Sequence, residues 1–67
     1  MDIKFIGHKI KNSREIISMS QETLAKILGV STQYIKKIES GECNIKILTL
    51  LKISKTLKIE LQKIFED

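Results

Sequence analysis

The chain contains no proline and no tryptophan, one cysteine and three glycines among 67 residues. A lone Cys43 cannot close an internal disulfide, and no Cys/His cluster offers metal ligands, so neither staple of a miniature fold is present. Without proline, helices can be interrupted only where glycine or capping residues stand. No apolar run approaches the roughly 20 residues of a membrane span, and no secretion signal is recognisable, which leaves a cytoplasmic protein with a reduced thiol as the simplest expectation. His8, Cys43 and the serines form no spaced triad, and the carboxylates form no metal constellation. We therefore expect no enzyme, no cofactor and no small-molecule ligand.

What is abundant is isoleucine, leucine and lysine. Twelve basic side chains against eight acidic ones give a formal charge of +4, a balance that favours a polyanionic partner. A single domain spanning residues 1–67 can bury only about 60% of its unfolded surface. Packed helices or a partner subunit must supply the stability.

Apolar spacing and capping residues predict five helices. Ile6, Ile10 and Ile17 share a face, with Ile3 beside them, in a first helix from about Lys4 to Ile17. Ser20 then caps a second that begins at Gln21, with Leu24, Ile27 and Leu28 as its inner stripe and Gly29 at its end. Ser31 repeats the cap for a third, carrying Ile35 and Ile38 and stopping at Gly41. A fourth is expected from Lys46 to Leu57 and a short fifth from Glu60 to Phe65.

The order of features between Gln21 and Ile38, QETLAKILGVSTQYIKKI, is the most informative part of the chain. Two short helices meet at a tight glycine turn, Ala25 is small where they cross, and Leu24, Leu28, Val30, Ile35 and Ile38 are apolar where they pack. On the third helix Thr32, Gln33, Lys36 and Lys37 fall within an arc of about 140° that carries no carboxylate. Hydroxyl, amide and ammonium groups of this kind suit base edges and phosphates, whereas a merely solvated polar face is the plainer alternative. At the start of the second helix, exposed amides at Ser20 and Gln21 suit a phosphate.

These residues resemble the Cro/phage-repressor type of helix-turn-helix protein, the XRE family. The likeness runs from Ile6 to Phe65: Ile6-Gly7 and Arg14, Ser20-Gln21-Glu22 with Leu24-Ala25, Leu28-Gly29-Val30-Ser31, Tyr34-Ile35, Ile38-Glu39 and Gly41, LLKISKTL, then Leu61 and Phe65. It implies an all-α, five-helix, lambda-repressor-like domain whose helix-turn-helix covers residues 21–40 and whose third helix enters the major groove of double-stranded DNA. By position Thr32, Gln33 and Lys37 match base readers of the family, Lys36 serves bases or backbone, and Ser40 matches a phosphate contact. Tyr34 either covers a phosphate or packs inward. Lys9 and Lys11 either add backbone contacts or keep the surface solvated. The loop after Gly41 departs from many phage repressors by carrying Glu42, which leaves Lys46 as its cation for the backbone. Arg14 and Glu39 occupy the positions of a partly buried ion pair that holds the recognition helix.

Apolar residues of the fourth helix spread over more than half its circumference, and Leu48 stands where many members are polar. Leu48 and Leu51 with Ile59, Leu61 and Ile64 are therefore expected to form a two-fold interface within residues 45–65, the alternative being an overfilled core of a single protomer. A homodimer implies an inverted-repeat operator. Within the family, the run from Gly41 to Phe65, with Asn44, is most similar to controller proteins of restriction-modification systems. Antitoxins, Cro-like repressors and a protein-only interaction module on the same fold are the alternatives.

Overall fold

The computed structural model describes residues 2–65. Five helices follow one another: α1 (Ile3–Ile16), α2 (Gln21–Leu28), α3 (Thr32–Ser40), α4 (Ile47–Leu57) and α5 (Leu61–Ile64). No strand occurs among the described residues. The expected boundaries hold to within about one residue.

Capping chemistry places the first three helices. Asp2 accepts the Lys4 amide at 3.0 Å, Ser20 the Thr23 amide at 3.0 Å, and Ser31 the Tyr34 amide at 3.1 Å, each satisfying one amide that the helix itself leaves without a partner. At the other ends, Gly29 and Gly41 adopt left-handed backbone at φ of 72° and 77°. The chain then folds back, with Val30 donating to the Ala25 carbonyl at 3.0 Å and Glu42 to that of Lys37 at 2.9 Å. The same closure ends α1 and α4 without glycine, since Ser18 and Lys58 take the left-handed turn at φ of 56° and 54°.

The core is built from Ile6 and Ile10 of α1, Leu24, Ala25 and Leu28 of α2, Ile35 and Ile38 of α3, Leu50, Ile53 and Leu57 of α4, and Ile64 of α5. Two residues expected inside are outside. Ile27 is 54% exposed, because Leu24, Ala25 and Leu28 centre the buried side of this two-turn helix about 100° away from it. Ile17 is 47% exposed, because the chain leaves helical geometry at Ile17, beyond the last residue of α1.

Gly7 sets the crossing of α1 and α3. A β-carbon there would be driven into the backbone carbonyl oxygens of Ile38 and Glu39, so the two helices approach more closely than any side chain at this position permits.

Candidate nucleic-acid interface

The site is organised around α3. Ile35 and Ile38 are buried on its inner side, which turns Gln33, Lys36 and Lys37 outward into solvent and leaves Thr32 half-buried at the first turn. Two ammonium groups and an amide thus stand on one exposed arc of a two-turn helix that carries its only carboxylate, Glu39, on the buried side. Such a face can donate to phosphate oxygens and to purine edges and repels neither.

Arg14 and Glu39 fix that helix from behind. The guanidinium donates through Nε to Oε2 at 2.7 Å and through Nη2 to Oε1 at 2.9 Å, and its remaining Nη1 donates to the Met19 carbonyl at 2.6 Å. Hydrogen bonding to Glu39 raises the Arg14 pKa and prevails over burial, which acts in the opposite direction. Glu39 Oε1 also accepts the side-chain amide of Gln21 at 3.0 Å. One carboxylate on α3 is thereby held from α1 and from the first residue of α2, with every bond charge-assisted.

Several residues expected to contact the DNA backbone are occupied within the protein. The Gln21 side chain points its amide at Glu39, because the start of α2 lies beside the last turn of α3. The hydroxyl of Ser40 lies 2.6 Å from a Glu42 carboxylate oxygen and 3.2 Å from the Lys37 carbonyl, so an acidic neighbour already uses its proton. Tyr34 is half-buried against the core, with its hydroxyl oxygen enclosed and without a hydrogen-bond partner. Its ring packs against the core in the DNA-free chain. Ser20 is exposed, but its hydroxyl accepts the Thr23 amide and donates to Thr23 Oγ1 at 2.9 Å, whereas Lys46 is exposed at the start of α4. Lys9 lies with its ammonium 5.4 Å from the centre of the Phe5 ring, a cation–π contact within α1.

The expected apolar patch is narrower than its sequence suggests. Leu48 is 70% exposed and Leu51 40%, joined on α4 by Ile47 at 60%. Ile64 is fully buried, and Ile59 and Leu61 are half-buried against the core, because α5 folds back onto α1 and α4 and uses its apolar residues within the protomer. The exposed part of the expected patch therefore belongs to α4.

Residues 10–64 match the helix-turn-helix family HTH_3. The chain belongs to this helix-turn-helix family. It is 40% identical over 62 residues to an uncharacterised HTH-type transcriptional regulator of Sinorhizobium fredii, covering 92% of this chain and 43% of that one. The chain spans about half the length of such relatives. It is 38% identical over 68 residues to the control protein C.MunI of a Mycoplasma species, covering 98% of this chain and 92% of the relative. Among solved structures, the restriction-modification controller protein C.AhdI of Aeromonas hydrophila superposes with a TM-score of 0.89 at 31% identity, covering 96% of this chain and 97% of that one. The biofilm regulator SinR, solved in complex with DNA, superposes at 0.82 with 31% identity over 91% of this chain and 98% of its own.

The sequence did not disclose the Gln21–Glu39 bond or the Met19 carbonyl as an Arg14 acceptor. The role of Gly7 had a weak signal: a glycine inside a helix costs about 1 kcal/mol relative to alanine and calls for a packing reason.

Proposed function

We propose that this protein is a non-enzymatic, cytoplasmic, sequence-specific DNA-binding regulator that binds an inverted-repeat operator as a homodimer, and that it is the controller of a restriction-modification system. The carboxylate-free arc of α3, held from behind by Arg14, carries the DNA-binding reading. Thr32, Gln33 and Lys37 read bases, with Gln33 suited to adenine and Lys37 to guanine, while Lys36 serves bases or backbone. Ser20 at the start of α2 and Lys46 before α4 grip phosphates. The near end-to-end likeness to C.MunI and C.AhdI supports the controller role, and the DNA complex of SinR supports the ligand.

The dimer reading rests on size and on α4. The longest extent of the fold is 27 Å, shorter than the roughly 34 Å between successive major-groove faces on one side of the duplex. One protomer therefore reads one half-site. Ile47, Leu48 and Leu51 offer the apolar surface through which a second copy joins it.

Selection of bound duplexes from a random pool tests the whole reading. An enriched inverted repeat, bound with steep salt dependence, is the expected result. A pool that emerges without enrichment overturns sequence-specific recognition. Gln33→Ala should then weaken operator binding while sparing non-specific duplex.

A further inference from the structure

From the geometry around Glu39 we propose that Gln21 is a positioning residue for operator discrimination: its side chain holds the recognition helix and does not grip the DNA backbone. The inference rests on the DNA-binding reading above and assigns a residue within it. Gln21 opens α2, where a polar side chain is well placed for a phosphate. Yet its Nε2 donates to Glu39 Oε1 at 3.0 Å, across 18 residues of sequence. The same oxygen accepts Arg14 Nη2 at 2.9 Å while Oε2 takes Nε at 2.7 Å.

Arg14 approaches Glu39 from α1 and Gln21 from α2, so the two donors brace the last turn of α3 from two directions. Gly7 places the Ile38 and Glu39 carbonyls directly against α1, which removes slack on the first side. On the second side the amide of Gln21 makes the corresponding bond. Losing it leaves a buried carboxylate lone pair without its donor and frees α3 to turn relative to α2. Thr32 and Gln33 lie at the far end of α3, where a small rotation displaces the groups that read bases most. To hold a phosphate with the same amide, Gln21 would have to release Glu39.

A phosphate contact and a positioning bond differ in what they change. Loss of a phosphate contact weakens binding to all duplexes about equally, whereas loss of alignment weakens the operator alone. The test compares wild type and Gln21→Met on the selected operator and on a scrambled duplex at one salt concentration, with thermal melting to establish that both are folded. We expect the operator affinity to fall about tenfold, the scale of one hydrogen bond to a charged group, and the scrambled duplex to be bound as before. Equal losses on both duplexes, or no loss on either, overturn the assignment. Should Gln21→Met fail to fold, the side-chain amide signals of Gln21 in the wild-type NMR spectrum decide: signals that stay in place when operator is added support the bond to Glu39, and signals that shift into a new environment overturn it. A wild-type protein that does not discriminate between the duplexes defeats the DNA-binding reading itself, a result distinct from any of these.

Discussion

The helix-turn-helix half of the molecule and the α4–α5 half are built to different standards. Each helix of the first half begins on a serine whose oxygen caps an amide and ends on a glycine in left-handed backbone. In the second half, α4 and α5 begin on Lys46 and Glu60 with no side-chain cap bond, and α4 ends on a lysine forced into the left-handed turn. Caps and glycine stops are worth about 1 kcal/mol each, so local chemistry specifies the first half and tertiary packing the second. A recognition helix must present its side chains at a fixed angle. In the proposed dimer α4 meets a second copy, and contacts made on association can complete its order.

The largest effect should come from removing the brace behind α3. Glu39→Ala leaves Arg14, whose side chain is 8% exposed, as a buried cation without its carboxylate, at a cost of about 3–5 kcal/mol. In a domain this small such a loss approaches the whole stability. Urea denaturation followed by circular dichroism should show a chain largely unfolded at ambient temperature. A midpoint close to wild type would mean that the network is peripheral and that the first half owes its order to capping alone.

Breaking the second half calls for a different readout. Leu48→Glu places a charge on an exposed residue of α4, so the protomer should keep its fold while its association fails. Sedimentation should show monomers, and operator affinity should fall by about two orders of magnitude as the bivalent advantage disappears. An unchanged dimer would move the interface away from α4.

How much of this was legible in the sequence follows the same division. Ser20, Ser31, Gly29 and Gly41 announced their helix ends because capping and left-handed turns are decided within a few residues. Ile35 and Ile38 were placed inside, and Gln33 and Lys37 outside, because helical spacing fixes faces. What helical spacing and local position leave open depends on distant chain. Ile64 has the spacing of an exposed patch but is buried because α5 returns to α1 and α4. Gln21 has the position of a phosphate ligand but bonds to a carboxylate 18 residues away. Ser18 carries no sign of a left-handed turn, so α1 was extended one residue too far.

A paired substitution sharpens the contrast at modest magnitude. Lys58→Gly relieves a side chain held at φ of 54° and should stabilise the fold by about 1 kcal/mol, raising the melting temperature by about 4–8 °C. Gly29→Ala should do the reverse by a similar amount; an added β-carbon has open space around it, so backbone conformation alone sets that cost. Equal and opposite shifts in calorimetry would locate the difference between the halves in their helix ends. If Lys58→Gly lowers the melting temperature instead, the lysine stem packs usefully and the second half is less strained than its dihedral angle implies.

The smallest expected effect probes an exception inside the well-built half. Tyr34 sits in α3 with its hydroxyl oxygen enclosed and unpaired, and an unpaired buried polar group costs about 1–3 kcal/mol. Tyr34→Phe removes that oxygen and leaves the ring where it packs, so stability should rise by about 1 kcal/mol once the lost van der Waals contact is counted. Because the hydroxyl faces the interior, operator affinity should not change. A stabilised variant that binds operator as before would make Tyr34 part of the support beneath Gln33 and Lys37. A drop in operator affinity without a drop in stability would show instead that the hydroxyl swings out to the DNA backbone in the complex, where a phosphate satisfies it.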